Sequence, residues 1–282
     1  MFSEILIVDS FSETQWFVPS CWTSKAMAAL PLLKTAVTIF LIAATIFVLR
    51  LLSILPAWRP KPLLRKKGQP AHLMIVLGSG GHTAEMIAML RNSIQGRPDS
   101  SGKPTSKSLD WSAFTHRTWI VSSGDNFSAA RAKEFENEAS SLSFNSGIRH
   151  ATGLESFTIV TVPRARKIHQ PLLTTPLSSL YCLWVCLKLL IGHKHGYPDL
   201  VLTNGPATAT ILVWATLLLR FVDIRGTDVS RKMRTVYVES WARVKKLSLS
   251  GRLLCWVADR VLVQWPQLDG VEGRGEYLGV LV

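Results

Sequence analysis

Residues Leu73–Leu90, LMIVLGSGGHTAEMIAML, join an apolar run to a helix-like run through a turn rich in glycine. Few folds accept this. A buried strand must end in backbone bare of side chains, and a helix must begin at once. Such a turn lets phosphate oxygens reach helix N–H groups, where the helix dipole also favours negative charge. His82 stands at the mouth of the turn and can move a proton near neutral pH. The segment therefore predicts a site for a phosphorylated ligand.

The pattern repeats along the chain. Short runs rich in Val and Ile are predicted as strands at His72–Leu77, Thr118–Ser122, Phe157–Val162, Asp199–Thr203, Thr235–Glu239 and Arg260–Gln264. Helical patterns fall between them at Thr83–Ile94, Asn126–Ala139, Leu172–Ile191, Ala207–Phe221 and Leu247–Val257. Strands that are nearly continuous in hydrophobicity are covered on both faces, and strand–helix alternation means a doubly wound parallel sheet. Ligands bind such sheets beyond the carboxyl ends of the strands. The polar stretch Gly96–Ser108 cannot bury a core and reads as a loop.

Before this α/β region lies a mostly apolar stretch, Ala26–Leu55, whose interior Thr35–Leu49 carries no charge. A membrane-spanning helix needs about 20 apolar residues, so Lys34 and Arg50 are placed near the interfaces. The residues before it include Glu4, Asp9 and Glu13, opposed by Lys25; Arg50, Arg59, Lys61, Arg65, Lys66 and Lys67 follow it. The basic side stays cytoplasmic. The expected order is a lumenal segment 1–28, a transmembrane helix 29–55, a basic linker 56–70 lying against lipid headgroups, a cytosolic domain 71–276 and an apolar tail 277–282. Asn126-Phe127-Ser128 is a glycosylation sequon that this topology leaves unmodified.

The 282 residues carry a net charge of +13 and are 48% hydrophobic. That balance suits an anionic membrane or a phosphorylated substrate. No zinc-finger spacing, RNA-binding aromatic motif or basic heptad region accompanies it, so no nucleic-acid partner is expected. Cys21, Cys182, Cys186 and Cys255 are too scattered for a disulfide framework or a zinc site. Two further apolar runs leave the membrane count open. Leu200–Leu219 is long enough to span, but Asn204-Gly205-Pro206 breaks it, which favours strand, turn and buried helix with Pro206 as the first helical residue. Pro171–Leu187 reads equally as a core helix or an interfacial one.

The candidate site residues gather at predicted carboxyl ends of strands. Gly78, Ser79, Gly80, Gly81 and Thr83 form the turn, which lacks both the P-loop ending and the third glycine of a dinucleotide fingerprint. His82 reads as a general base for a sugar hydroxyl or as a helix-start donor. Glu85, one turn on, can orient it or cap the helix. Asn204 and Gly205 end the fourth strand, and Glu239 and Ser240 the fifth. Asn204 can present an amide to a sugar or phosphate, and Glu239 can accept from sugar hydroxyls or pair with a base such as Arg243. Arg164 and Arg166 suit a pyrophosphate or a membrane-facing charge cluster.

These segments resemble one family. Gly78–Met86 (GSGGHTAEM), Pro198–Pro206 (PDLVLTNGP), Val236–Val244 (VYVESWARV) with Ser248–Gly251 (SLSG), and Ala258–Pro266 (ADRVLVQWP) are similar to the membrane subunit of the two-part UDP-N-acetylglucosamine transferase of the dolichol pathway. The likeness runs over about residues 72–282. It implies half of a GT-B glycosyltransferase: one Rossmann-like domain that binds dolichyl-diphosphate-N-acetylglucosamine for the second step of dolichol-linked oligosaccharide synthesis in protein N-glycosylation. It implies a heterodimer whose soluble partner binds the nucleotide sugar, a place in the endoplasmic-reticulum membrane or the nuclear membrane continuous with it, and no metal or cofactor. The glycine turn would hold the diphosphate and His82 would activate the acceptor hydroxyl. The tail Leu278, Gly279, Val280, Leu281 and Val282 would hold the partner. Where the family reads Pro-Arg-Ser-Arg this chain has Pro163-Arg164-Ala165-Arg166, which removes a hydroxyl at 165. Two other readings compete: a membrane-bound nicotinamide-dependent oxidoreductase, and a non-enzymatic multi-span membrane protein.

Overall fold

The computed structural model describes residues 20–61, 69–95, 111–145, 156–166 and 170–282. The expected lumenal segment before residue 20, linker residues 62–68, the polar loop 96–108 and Lys167 lie outside the described residues. The strands are β1 (His72–Val76), β2 (His116–Ser122), β3 (Phe157–Val162), β4 (Leu200–Asn204), β5 (Arg234–Val238), β6 (Arg260–Val263) and β7 (Gly275–Tyr277). The helices are α1 (Ser20–Ile54), α2 (Gly81–Gln95), α3 (Asn126–Asn145), α4 (Thr175–Gly192), α5 (Thr208–Val222) and α6 (Leu249–Cys255). The strands pair in parallel in the order β3-β2-β1-β4-β5-β6-β7. The order reverses between β1 and β4, which opens a crevice at their carboxyl ends.

Both faces of β1 are buried, as its unbroken apolar run requires. Leu73, Ile75 and Leu77 pack with Trp119 and Phe135 beneath α2 and α3. Met74 and Val76 pack with Val162 and Leu212 against α4 and α5. Burying each such side chain contributes roughly 1.5–3 kcal/mol. A third cluster joins Tyr237, Val261 and Val263 to α6 and to Ile54.

The chain divides into two units, residues 1–50 and 51–282. In the first, α1 is long and apolar enough to cross a membrane from Pro31 on. Leu32, Leu33, Ile39, Phe40 and Ile46 are exposed along it. Its threonine hydroxyls need no water: Thr35, Thr38 and Thr45 donate to the carbonyls of Leu32, Lys34 and Leu41 at 2.8, 2.9 and 2.8 Å.

Leu200–Leu219 is strand, turn and helix. It supplies β4 in the middle of the sheet and most of α5, ten of whose residues are buried. That excludes a span there and overturns the multi-span reading for this segment. α5 starts at Thr208 rather than Pro206, because Ala207 at φ 58 turns the chain before the helix can begin. α4 has Pro176 near its start and buries the stripe Cys182, Cys186 and Leu190. Its other side exposes Leu177, Leu180, Tyr181 and Trp184. The two cysteines are buried free thiols.

Two expectations change at the ends of the domain. Arg59 does not lie against headgroups. It is 6% exposed and donates through Nη1 to both oxygens of Asp259, at 3.0 and 3.1 Å. The tail is also used by this chain. Tyr277 belongs to β7, a seventh strand too short to show a periodicity. Leu281 packs against the core under α2; its N–H donates to Gln264 Oε1 at 3.3 Å and its carbonyl accepts from Asn92 Nδ2 at 3.2 Å. Gly279, at φ +91, allows that return, while Leu278 and Val282 stay exposed.

Candidate functional site

The glycine turn lies at the crevice between β1 and β4. Gly78 is buried and follows β1; Ser79, Gly80 and Gly81 are exposed at the start of α2. Gly80 has φ +63, a conformation that costs an L side chain strain. Thr83 turns inward. Its fully buried hydroxyl donates to the Gly78 carbonyl and meets Ser128 Oγ at 2.6 Å, and Ser128 donates to Asp125 Oδ2 at 2.7 Å. Thr83 therefore shapes the turn from behind, and the exposed surface is backbone with the α2 dipole behind it.

His82 is seated between two glycines, one in the turn after β1 and one in the turn after β4. A Cβ on Gly78 would lie 2.7 Å from His82 Cβ, and one on Gly205 would lie 3.1 Å from His82 Cγ and 3.2 Å from Gly78 Cα. Gly205 also has φ +91. Only bare backbone at both places lets β1 and β4 close around the imidazole. The His82 side chain is 30% exposed, and its Nδ1 lies 3.5 Å from Glu85 Oε2.

Glu85 joins the three strand ends. Asn204 Nδ2 donates to its Oε2 at 3.1 Å, and Ser240 Oγ donates to its Oε1 at 2.8 Å. Burial works against its charge, yet the contacts from His82, Ser240 and Asn204 outweigh that and hold its carboxyl below the ordinary glutamate value. Asn204 is fully buried, and its Oδ1 has no protein partner. A negative carboxylate beside Nδ1 favours the tautomer with Nδ1 protonated and Nε2 free to accept.

The remaining predicted residues separate. Glu239 is 1% exposed and faces the start of α6, accepting from the Ser240 N–H at 3.1 Å, the Ser248 N–H at 2.9 Å and Ser248 Oγ at 3.0 Å. Its place is structural: a Cβ on Gly251 would lie 2.2 Å from Glu239 Oε2. Arg164 donates through Nε to the Ser123 carbonyl at 2.9 Å, and Arg166 through Nη2 to the Gln170 carbonyl at 3.2 Å. Both follow β3, at the far edge of the sheet from β4. Ala165 is buried in the core, where a serine hydroxyl would need a partner.

Residues 73–281 match the family model described as "Oligosaccharide biosynthesis protein Alg14 like". The chain belongs to the Alg14 family. Its curated relatives include the UDP-N-acetylglucosamine transferase subunit alg14 of Aspergillus fumigatus, 45% identical over 62% of this chain and 96% of that one. The corresponding subunit of Yarrowia lipolytica is 38% identical over 87% of this chain and 100% of that one. That of Rattus norvegicus is 31% identical over 85% and 94%. Among solved structures, Acinetobacter baumannii MurG aligns with a TM-score of 0.42 at 14% identity over 74% of this chain. The chain spans 45% of that protein's length.

The Alg14-family match covers the whole cluster, from Gly78 through Asn204, Gly205 and Ser240. Of the two roles its spacing allows Glu85, orienting His82 or capping α2, the geometry favours the first, with Oε2 3.5 Å from His82 Nδ1. The pairing of His82 with Gly205 has a direct consequence. Gly205→Ala should destabilise the domain by about 1–3 kcal/mol through its backbone conformation and displace His82. Gly270→Ala isolates strain alone, since Gly270 has φ +71 and open space around it. Transferase activity assayed where both variants are folded should fall for the first and hold for the second. Equal activity would show that His82 does not depend on this packing.

Proposed function

We propose that this chain is the membrane-anchoring, acceptor-binding subunit of a UDP-N-acetylglucosamine transferase, and that it acts on dolichyl-diphosphate-N-acetylglucosamine at the cytosolic face of the endoplasmic-reticulum or nuclear membrane. The observation that carries this is one glycine turn at the β1–β4 crevice, with His82 above it, in a family member whose described residues form a single sheet. The curated relatives are named as subunits of a transferase, which supports a nucleotide-sugar half supplied by a separate soluble subunit.

In this reading the exposed N–H groups of the turn and the α2 dipole hold the acceptor diphosphate. His82, oriented by Glu85, takes the proton from the acceptor 4-hydroxyl as its oxygen bonds to the donor anomeric carbon. The bond from that carbon to UDP breaks, and UDP leaves with the electron pair. The exposed side of α4, with Tyr181 and Trp184 beside Lys188, suits the lipid interface. The oxidoreductase reading lacks a ribose-binding acid: Asp125, just after β2, caps α3 through Ser128.

Reconstitution tests the assignment. The purified chain in nanodiscs should transfer no label from UDP-N-acetylglucosamine to the lipid acceptor, and full transfer should appear when the soluble partner is added. Transfer by the chain alone would refute the division of labour.

A further inference from the structure

Four of the seven histidines meet at the amino edge of the sheet, opposite the glycine turn. His72 begins β1, His116 begins β2, and His193 and His195 lie between α4 and β4. His72 and His116 are 3% and 6% exposed. One ring nitrogen from each of His72, His116 and His193 lies within 4.8 Å of the others. The His195 ring stacks on His116 with centroids 3.5 Å apart. The protein leaves this cluster incompletely paired. Thr118 Oγ1 lies 2.8 Å from His72 Nε2 and 2.9 Å from His193 Nε2, where it can donate to one ring and accept from the other. His72 Nδ1 and His116 Nε2 are buried without a hydrogen-bond partner.

We propose that His72, His116 and His193 form a binding site for a late first-row divalent cation, zinc above all, with His195 or water as the fourth ligand. Three imidazoles and no carboxylate suit zinc, copper or nickel and exclude the oxygen-seeking calcium and magnesium. Tetrahedral zinc with bonds of about 2.0–2.1 Å sets its ligand nitrogens about 3.3 Å apart. Binding therefore requires His193 to give up one of its present contacts, from Nε2 to Thr118 Oγ1 at 2.9 Å or at Nδ1 from the His195 N–H at 3.3 Å, and to turn toward the other two rings. Thr118 then becomes the outer partner that orients a ligand ring. Lys194 borders the site, and Arg117 beside it is neutralised by Glu136 at 2.8 Å. Six residues of strand separate His72 from Gly78, about 20 Å, so the ion ties β1, β2 and the α4–β4 loop together and takes no part in sugar transfer.

The test uses the full chain in detergent, stripped of metal and titrated with cobalt(II), followed by competition with zinc. The expected result is one equivalent of tetrahedral cobalt, displaced by zinc, and a melting temperature raised by zinc. His193→Ala should weaken binding by more than the roughly 10–100-fold that outer-shell changes cost, and abolish the zinc-dependent rise. His193 lies in a loop, so this variant keeps the core intact. The double variant His150→Ala, His169→Ala should bind as the wild type does. Absence of stoichiometric cobalt in the wild type, unchanged affinity in His193→Ala, or loss of binding in the double variant would each overturn the site.

Discussion

His82→Ala should slow sugar transfer by the reconstituted two-subunit enzyme by about 10²–10⁴-fold while the chain melts close to the wild-type temperature. The imidazole is held by geometry that does not depend on it. Gly78 and Gly205 approach each other through backbone, and Glu85 retains its hydrogen bonds from Asn204 and Ser240 when the ring is removed. The acceptor diphosphate is held in the proposed site by backbone N–H groups, so affinity for the lipid should change little and the loss should fall on kcat. His82→Gln keeps a polar group of similar reach but cannot carry the proton, and should be nearly as slow. Glu85→Gln keeps the bulk and loses the charge that orients Nδ1, so it should show a partial loss. Single-turnover transfer of labelled N-acetylglucosamine at saturating partner measures these effects. Wild-type turnover in His82→Ala would remove the base from the mechanism.

Asp259→Ala should have the largest effect on stability. Asp259 faces three guanidiniums: Arg59 at 3.0 Å, Arg220 at 3.4 Å and Arg234 at 2.9 Å. It also accepts from the Thr235 N–H at 2.8 Å and Thr235 Oγ1 at 3.1 Å. The side chains of Arg59 and Arg220 are 1% and 0% exposed, so removing the carboxylate leaves buried like charges facing one another. Breaking a buried pair in this way costs about 3–5 kcal/mol. At about 2–4 °C per kcal/mol for a domain of this size, the melting temperature should fall by roughly 6–20 °C. Arg59→Met should cost much less, because Asp259 keeps two partners and one of three repelling cations is gone.

The pH dependence has a definite sign. Burial opposes the charge on Asp259, but Arg220, Arg59, the Thr235 N–H and Arg234 together hold its carboxyl below the ordinary aspartate value. A depressed carboxylate stabilises the fold above its unfolded pKa, and that contribution fades as pH falls through the folded value. Arg220 is pushed down by burial to about 10 and stays charged at neutral pH. The gap between wild type and Asp259→Ala should therefore be full near pH 7 and close below about pH 4. Thermal unfolding of the full chain in detergent across that range checks it. A gap that persists unchanged in acid would show that Asp259 acts through packing rather than charge.

Much of this architecture is written in short stretches of residues. The unbroken apolar run at His72–Leu77 specifies a strand covered on both faces, and Gly78–Thr83 specifies a tight turn into a helix, because each depends on neighbours a few residues away. Asn204-Gly205-Pro206 likewise ends a strand and prevents a span over Leu200–Leu219. The apolar length from Pro31 to Ile54 is a property of composition alone. For the same reason the turn residues and His82 were legible as a group.

What local pattern cannot carry is which strand ends become neighbours. β1 lies beside β4 and β4 beside β5. That pairing makes Glu85 the common partner of residues 119 and 155 positions away. It also turns Glu239 inward to Ser248, draws Arg59 across 200 residues to Asp259, and returns Leu281 to its own core. The histidines at 72, 116 and 193 share no spacing that a sequence motif would show; they meet because parallel strands align their amino ends. Residue order alone determined six of the strands, the long apolar helix and the turn, since propensity and periodicity act over a few residues. Tertiary structure alone decided which polar groups face the crevice and which are sealed inside, since burial and pairing between distant residues are set only when the sheet assembles.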